Sequence, residues 1–264
     1  MIQYDTRLAA SLQDPYTSST MNAIFFDLYE TLVTHFDPDW QPPLQSIAQR
    51  LGVEDRAFSD HWSRFDTAWQ LGEISTYEAA LAAFCAHCGS TPDSAVLARL
   101  AREYQDMTAR VFSSIEPEIV KMVTTLKNSG FKLGIITNAS DLDAAPWSGC
   151  SLAPYFDDFL ASHDVGLLKR DEQFFELACQ RLNVQPGQAI FVGDGGGNEL
   201  QSAARAGLAP YWCTWFLDRW PEGIRPNGFP GDDWRQHDTG DPPPFERLQQ
   251  PADLLAAVLW ATGR

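Results

Sequence analysis

Short apolar runs alternate with amphipathic segments along most of this chain. Residues 22–29 (NAIFFDLY) are mainly apolar and end on polar residues, which is typical of a buried strand. Similar apolar runs follow at 131–137, 189–192 and 208–214, with a weaker one at 156–161. Segments with helical periodicity lie between these runs, at 116–129, 171–182 and 198–206. Because helices separate successive strands, the pattern predicts an α/β fold built on an open parallel sheet.

One long interval, 37–113, breaks this alternation because it contains helix-like blocks and no convincing strand. The blocks lie at 44–51, 56–71, 76–87 and 94–112. Several helices inserted after the first strand predict a small all-helical cap domain above the sheet. We therefore divide the chain into a polar N-terminal extension (1–20), an α/β core domain (21–36 and 114–264) and a helical cap domain (37–113).

The C-terminal part of the core has a different pattern. Residues 218–245 are rich in Pro, Gly and Trp and lack periodicity, so we expect a long ordered loop there. A last helix is predicted to begin near Pro251.

The charge and the cysteines narrow the class of partner. The 264 residues include 35 Asp and Glu against 19 Lys and Arg, a formal net charge of −16. This balance argues against nucleic acid or an anionic membrane surface as a partner, and no apolar stretch is long enough to span a bilayer. The first 20 residues lack the pattern of a secretory signal, and an odd number of cysteines indicates reduced thiols. We expect a cytoplasmic protein that acts on a small molecule, either as a monomer or as a homodimer.

Polar residues follow the ends of several predicted strands. They are Asp27 after the first strand, Thr137 and Asn138 after the second, Lys169 before a helix, and Asp194 and Glu199 in the glycine-rich turn GDGGGNE. Singly, each fits a structural role such as a helix N-cap or a solvated lysine. Together, in this order and after strand ends, they predict a ligand site at the carboxyl edge of the sheet, where open parallel sheets bind their ligands.

This constellation resembles the haloacid dehalogenase (HAD) superfamily over residues 22–214. The resemblance implies a Rossmann-like core, a cap domain over the active site and a covalent intermediate on an aspartate. It makes Asp27 the nucleophile and Thr31 the hydroxyl that steadies it. Thr137 would bind the oxygens of the transferred group, and Lys169 would balance the charge that collects in the site.

The same resemblance implies a Mg²⁺ site. Asp194 and Glu199 would hold the ion together with Asp27 and the backbone carbonyl of Tyr29. Independently of the family, Mg²⁺ prefers hard oxygen ligands and binds through one or two carboxylates together with substrate phosphate oxygens. A carboxylate that is ionised at neutral pH can also act as a nucleophile and divide one displacement into two easier steps.

Two residues depart from the family's phosphatase pattern. The phosphatases usually carry a second Asp, the general acid and base, where this chain has Tyr29. Tyr at this position is typical of the 2-haloacid dehalogenases of the same superfamily, whose halide leaves without a proton. Glu30 stands where a Gly is usual, and it is either a structural oddity or a substitute acid. Tyr29, Glu30 and Asn138 are our candidate substrate contacts.

The glycine-rich turn that carries Asp194 and Glu199 favours a phosphatase instead. Asp194 and Glu199 keep the acidic pair of a Mg²⁺ site, and without a cation these carboxylates would crowd like charges around Asp27. The dehalogenases also use an arginine early in the cap, and Arg50, Arg56 and Arg64 occur in no recognisable context for it.

We therefore predict a Mg²⁺-dependent phosphatase of a small phosphorylated metabolite. The alternatives are a metal-independent 2-haloacid dehalogenase and a catalytically weak binding or regulatory protein on the same fold.

Two further motifs are given structural interpretations. Cys85 and Cys88 have Cys-x-x-Cys spacing, but no second pair completes a zinc site, so we interpret them as structural thiols. His35 follows the first motif closely, and a solvated or capping role is favoured over contact with substrate.

Overall fold

The computed structural model describes residues 21–37, 44–220 and 244–262. Six parallel strands form one sheet in the order β3-β2-β1-β4-β5-β6. The strands are β1 (Ala23–Phe26), β2 (Lys132–Thr137), β3 (Asp158–Ala161), β4 (Ala189–Gly193), β5 (Ala209–Cys213) and β6 (Glu246–Leu248). The predicted parallel α/β fold is therefore confirmed.

Ten α-helices occur within the described ranges. They are α1 (Ile47–Leu51), α2 (Asp55–Gln70), α3 (Tyr77–His87), α4 (Ser94–Val111), α5 (Pro117–Asn128), α6 (Asp141–Ala144), α7 (Ser162–Val165), α8 (Glu172–Arg181), α9 (Glu199–Arg205) and α10 (Pro251–Thr262). No helix of the described ranges is both long enough and apolar enough to cross a membrane.

The first strand lies at the centre of the sheet and fixes the place of the site. β1 pairs with β2 on one side and with β4 on the other, so the order of the strands reverses at β1. The register aligns Phe26 with Ile135 in β2 and with Val192 in β4. Ligands of open parallel sheets bind in the crevice beyond the strand ends at such a switch point.

Apolar side chains cover both faces of the sheet. Along β1, Ile24 and Phe26 belong to one buried cluster, whereas Ala23 and Phe25 belong to a second one on the opposite face. This alternation follows from the two-residue period of a strand. Burial on both faces explains why the strand is a continuous apolar run in the sequence.

Four helices, α1–α4, fill the interval between β1 and α5, as predicted. They pack around an apolar cluster of their own, which includes the fully buried Phe84 and Trp69. The domain boundaries at 37 and 113 stay predictions. Residues 38–43 of this interval lie outside the described residues.

Three hydrogen bonds hold the helical segment, which comprises α1–α4, against the carboxyl edge of the sheet. Trp69 donates through Nε1 to Asp141 Oδ1 at 2.8 Å, and the Tyr104 hydroxyl donates to Asp143 Oδ1 at 2.7 Å. Ser162 Oγ donates to the backbone carbonyl of Gln70 at 2.7 Å. The acceptors and donors on the sheet side lie in α6 and α7, which follow β2 and β3 directly.

At the two ends of the chain, the structure describes only part of what the sequence predicts. The extension 1–20 and most of the expected loop, at 221–243, lie outside the described residues. The last helix begins at Pro251, as predicted. Strand β6 was not predicted, because of its three residues only Leu248 is buried and so short a run has no readable period.

Replacing Gly72 with Ala is expected to destabilise the protein more than replacing Gly89. Both glycines are left-handed, with φ of +73° and +75°, so each alanine should cost about 1–2 kcal/mol of conformational strain. A Cβ on Gly72 would also lie 2.8 Å from the backbone carbonyl oxygen of His163, whereas a Cβ on Gly89 would meet nothing within 4 Å. Urea unfolding of both variants measures the difference, and equal losses would contradict this account.

Asp66 is expected to make stability depend on pH. Burial, together with the nearby Asp143 carboxylate, raises the pKa of Asp66 to about 7, against the hydrogen bond from Gln70. The folded protein therefore keeps this proton at a pH where the unfolded chain has lost it. Stability should fall as the pH rises from about 4 to about 7.

Asp66→Asn should remove this part of the pH dependence and raise the melting temperature at pH 8 more than at pH 5. Asp106→Asn, at an exposed position of α4, is the matched control. Melting curves recorded by circular dichroism from pH 5 to pH 8 measure the effect. An identical slope in wild type and Asp66→Asn would show that Asp66 does not carry it.

Candidate active site

Three strand ends bring the predicted residues to one edge of the sheet. Asp27 follows β1, and its backbone N–H donates to the Val192 carbonyl at 2.9 Å, which continues the strand pairing. Thr137 is the last residue of β2, and Asp194 follows β4. The sequence expectation that these three residues share one edge is confirmed by the fold.

A cluster of charges forms at this edge, in which Asp27, Lys169 and Glu199 are buried and Asp194 is half-buried. Oxygens of Asp27, Asp194 and Glu199 all lie within 4.8 Å of one another. Lys169 Nζ donates to Asp27 Oδ1 at 2.5 Å and also to Glu199 Oε2. The Lys169 backbone N–H donates to Asn138 Oδ1 at 2.8 Å, so the residue that follows β2 holds the main chain of the lysine.

Burial and like charges change the pKa of every member of this cluster. Burial raises the pKa of Asp27 and of Glu199 despite their contact with the lysine, and it raises the pKa of Asp194 to about 6, with Asp27 adding to the rise. Burial alone would lower the pKa of Lys169, but the carboxylates of Asp27, Glu199 and Asp194 outweigh it and raise that pKa. The lysine therefore stays charged, while the three carboxyl groups resist full ionisation together.

The donor set fits a divalent metal ion. Three carboxylates against one ammonium leave an excess of two negative charges when all are ionised. The available ligands are hard carboxylate oxygens, the type that Mg²⁺ prefers. Within the described residues this is the one such group of acidic, histidine or cysteine side chains. The predicted ligation by the Tyr29 backbone carbonyl stays a prediction.

Thr31 is placed differently from its predicted role. Its side chain is fully buried, and its hydroxyl contacts Cys213 Sγ at 3.3 Å. Its carbonyl accepts a hydrogen bond from Trp215 Nε1 at 2.9 Å. Both contacts are with the segment that begins at the end of β5, and the role of Thr31 toward Asp27 stays a prediction.

Glu30 is a structural anchor of the loop that follows β1. Its backbone is left-handed, with a φ of 55°, a conformation that favours the Gly expected here. Its carboxylate accepts hydrogen bonds from the Thr34 hydroxyl at 2.8 Å, the His35 backbone N–H at 2.8 Å and Trp220 Nε1 at 3.0 Å. These bonds hold a strained residue in place and leave its carboxylate little freedom to act as a substitute acid.

A cavity of about 240 Å³ opens over the charge cluster. Its wall contains seven predicted residues: Asp27, Tyr29, Glu30, Thr137, Asn138, Lys169 and Asp194. Four further residues complete it: His35, Gln70, Tyr104 and Asp143. Thr31 and Glu199 do not line it.

Among these four further residues, His35 is the one for which the sequence favours a solvated or capping role. The structure instead stacks its ring on Tyr29 at 4.6 Å, with Nδ1 3.5 Å from Glu30 Oε1. Asp143 could have been found from the sequence, because Ser140 and Asp143 form a capping box that begins α6. Gln70 and Tyr104 come from α2 and α4, and only the packing of the helical segment brings them to the cavity.

The Cys-x-x-Cys motif lies at the end of α3, away from the cavity. Cys85 is fully buried, and burial raises the pKa of its thiol to about 11. Such a thiol is a poor nucleophile and a poor metal ligand at neutral pH. The interpretation of Cys85 as a structural thiol therefore gains support.

Known proteins resemble this chain in sequence. A family model described as haloacid dehalogenase-like hydrolase matches residues 21–207. A glyceraldehyde 3-phosphate phosphatase of Methanopyrus kandleri is 26% identical over 173 residues, which are 64% of this chain and 67% of that protein. The pyrimidine 5′-nucleotidase YjjG of Escherichia coli is 30% identical over 112 residues, 42% of this chain and 49% of that protein. The match thus spans about two thirds of the first relative and about half of the second.

Solved structures share the fold. The L-2-haloacid dehalogenase from Xanthobacter autotrophicus has a TM-score of 0.57 at 20% identity, covering 90% of this chain and 98% of the other. The HAD-hydrolase YfnB of Bacillus subtilis, solved with magnesium, has a TM-score of 0.53 at 15% identity, covering 91% and 99%. At these identities the likeness shows the fold alone.

A divalent cation is expected to stabilise the protein through Asp194. Mg²⁺ at about 100 times its Kd should raise the melting temperature by about 5–10 °C, because it binds the folded state. Asp194→Asn should melt higher than wild type without the cation, since one buried like charge is gone, and should show no Mg²⁺ shift. Glu73→Gln, an exposed substitution, should keep the wild-type shift. A full Mg²⁺ shift in Asp194→Asn would remove this aspartate from the metal site.

Proposed function

The chain belongs to the haloacid dehalogenase-like hydrolases, and on that premise we propose that it is a Mg²⁺-dependent phosphatase of a small phosphorylated metabolite. One observation carries the proposal. Asp27, Asp194 and Glu199 bring three carboxylates within 4.8 Å of one another beside a single buried lysine. A site with this excess of negative charge needs a cation before it can accept a phosphate group.

Asp27 is the nucleophile of the proposed reaction. A carboxylate oxygen of Asp27 forms a bond to phosphorus as the bond to the leaving-group oxygen breaks, which gives an aspartyl phosphate. Water then attacks the phosphorus, the bond to Asp27 breaks and inorganic phosphate leaves. Bound Mg²⁺ would offset the negative charge of the phosphoryl oxygens and bring the anionic substrate close to the anionic nucleophile.

Lys169, Thr137 and Asn138 support this reaction with their own contacts. The Lys169 ammonium already touches the nucleophile, so it can balance the charge of the phosphoryl group as the bond forms. The Thr137 side chain lies in the cavity wall at the end of β2, where it can donate a hydrogen bond to a phosphoryl oxygen. Asn138 fixes the backbone of Lys169 and thereby the position of its ammonium.

The leaving group gets no proton from the usual position. The Tyr29 hydroxyl donates to the Asp143 carbonyl at 3.0 Å, and burial raises the Tyr29 pKa far above the neutral range. Glu30 is committed to the hydrogen bonds of its own loop. In this proposal solvent protonates the leaving group, so turnover depends strongly on leaving-group quality.

The helical segment would select the substrate. Gln70 and Tyr104 contribute to the cavity wall from α2 and α4. Helical caps that cover a site exclude water and sort substrates by contact with the leaving group. A cavity of about 240 Å³ suits a small metabolite.

A second candidate, a metal-independent 2-haloacid dehalogenase, is favoured by Tyr29. In that reaction Asp27 would displace halide from carbon, and no proton donor would be needed. The acidic pair has no use in such a reaction, since Asp194 and Glu199 would only repel the nucleophile. A catalytically weak binding protein is the third candidate and rests on the same residue, Tyr29.

A parallel assay separates the three candidates. Phosphate release from a panel of phosphometabolites and chloride release from 2-chloropropionate are measured, each with Mg²⁺ and with chelator. We expect phosphate release that requires Mg²⁺ and is lost in both Asp27→Asn and Asp194→Asn. Chloride release that survives chelation and Asp194→Asn would establish the dehalogenase instead. Inactivity of the folded wild type in both assays would favour the binding protein.

The absence of a proton donor at the position of Tyr29 leads to a separate prediction about leaving groups. The protein should hydrolyse 4-nitrophenyl phosphate faster than an alkyl phosphate, by roughly the 10²–10⁴-fold that general acid catalysis supplies elsewhere. Tyr29→Asp should narrow this gap, whereas Tyr29→Phe, which removes only the hydroxyl, should leave it unchanged. Values of kcat/KM for both substrates, with melting temperatures to confirm folding, measure the effect. Equal rates on the two substrates in wild type would show that another group already donates the proton.

A further inference from the structure

We propose that the preferred substrate carries an ammonium group on its leaving alcohol, as a short aminoalkyl phosphate does, and that Asp143 is the residue that selects it. This inference rests on the proposed function and names the substrate class of the same site. It follows from the chemistry of the cavity wall beyond the residues that handle the phosphate. That part of the wall offers hydrogen-bond acceptors and negative charge to a ligand.

The cavity wall has two parts with different tasks. The residues assigned to the phosphate and its cation are Asp27, Thr137, Asn138, Lys169 and Asp194. The others form what we call the leaving-group wall: Tyr29, Glu30, His35, Gln70, Tyr104 and Asp143. Since the phosphate occupies the first part, the alcohol that leaves has the leaving-group wall to contact among the described residues.

The main donors of the leaving-group wall already have acceptors. The Tyr29 hydroxyl donates to the Asp143 carbonyl at 3.0 Å, and the Tyr104 hydroxyl donates to Asp143 Oδ1 at 2.7 Å. Gln70 Nε2 donates to Asp66 Oδ2 at 2.9 Å, whereas no hydrogen bond to Gln70 Oε1 is found within the described residues. A carboxylate on the substrate would need donors, so this wall suits a substrate that brings its own donors.

Asp143 is a buried carboxylate that has only neutral partners. The residue is 8% exposed, and its carboxylate accepts hydrogen bonds from the Tyr104 hydroxyl, the Ser140 hydroxyl and the Ser140 backbone N–H. No ion pair among the described residues includes it. A positive group offsets the cost of burying a carboxylate, so an ammonium gains more here than a neutral hydroxyl does.

The charge of the leaving-group wall has the same sign throughout the possible states of His35. The wall holds the carboxylates of Glu30 and Asp143, and His35 is its one basic side chain, with Nδ1 3.5 Å from Glu30 Oε1. Even a protonated imidazole leaves one negative charge in excess. The other cation of the cavity, Lys169, contacts Asp27. An ammonium on the leaving alcohol is therefore attracted, and a carboxylate is repelled.

Tyr29 links Asp143 to the reaction centre. Its hydroxyl contacts the Asp143 backbone, and the charges of both Asp143 and Asp27 add to the effect of burial in raising the Tyr29 pKa. Because both carboxylates act on the same phenol, a short carbon chain between phosphate and ammonium suits the site. The cavity volume of about 240 Å³ also favours a short chain.

Binding of phosphonates tests this inference without turnover. In 2-aminoethylphosphonate, 2-hydroxyethylphosphonate and 3-phosphonopropionate, a carbon–phosphorus bond replaces the ester that the enzyme would cleave. Their affinities for wild type are measured by titration calorimetry in the presence of Mg²⁺. We expect the amine to bind about 10- to 100-fold more tightly than the hydroxyl compound, as a hydrogen bond to a charged group allows, and the carboxylate to bind most weakly. Equal affinities, tighter binding of the carboxylate or no binding of the amine would overturn the inference.

A kinetic arm assigns the preference to Asp143. Values of kcat/KM for 2-aminoethyl phosphate, 2-hydroxyethyl phosphate and phosphoglycolate are compared among wild type, Asp143→Asn and the exposed control Asp106→Asn. Asp143→Asn should lower the ratio of amine to hydroxyl by about 10-fold or more, whereas Asp106→Asn should keep the wild-type ratio. The same alcohols leave in every protein, so differences in leaving-group quality cancel. Melting temperatures confirm folding, and an unchanged ratio in folded Asp143→Asn would overturn the assignment.

The two arms separate this inference from the proposed function. Amine preference in phosphonate binding, without phosphate release from any ester, would contradict the phosphatase and support the ammonium site. Phosphate release that requires Mg²⁺, together with phosphonate binding that ignores the amine, would support the phosphatase and overturn the ammonium site.

Discussion

The candidate site at the carboxyl edge of the sheet depends on one buried ammonium, that of Lys169. Lys169 bridges Asp27 and Glu199, and without it three carboxylates would lie within 4.8 Å of one another with no positive partner among them. Pairing with Lys169 offsets part of the cost of burying Asp27 and Glu199, although burial still raises the pKa of each. The fold supplies the rest of the constraint, because β1, β2 and β4 are neighbouring parallel strands that carry these side chains to the same edge of the sheet. The charge excess that makes the site costly is also what suits it to a divalent cation.

The positions of the main motifs could be predicted because they depend on local rules. A buried apolar run that ends on Asp27, and a glycine-rich turn that carries Asp194 before a helix, determine which sheet edge receives them once the strands are parallel. The roles of these residues could not be predicted to the same depth. Nothing in the spacing of Asp194 and Glu199 shows that one faces the cavity and the other lies beneath the turn, since this depends on Gly193 and on the direction of α9.

Residues contributed by tertiary packing were the ones that the sequence did not indicate. Gln70 and Tyr104 are ordinary members of amphipathic helices, and they become cavity residues only because α2 and α4 pack against the sheet edge. The sequence marks Glu30 as unusual, but its structural role depends on Trp220, which is 190 residues away in the chain. A left-handed glutamate is tolerated when several donors converge on its carboxylate, and no local pattern shows those donors.

Asp143 joins three parts of the molecule that the sequence keeps far apart. Its backbone carbonyl accepts a hydrogen bond from the Tyr29 hydroxyl in the loop after β1, and its carboxylate accepts hydrogen bonds from Tyr104 in the helical segment and from Ser140 at the start of α6. Separation of the helical segment from the sheet would break the bond to Tyr104 and alter the cavity wall at the same time. Any molecule that contacts Tyr104 and the charge cluster together would therefore favour the joined arrangement, so ligand binding and closure over the site are thermodynamically linked. Asp143 therefore belongs both to the cavity wall and to the hydrogen bond that joins the helical segment to the sheet edge.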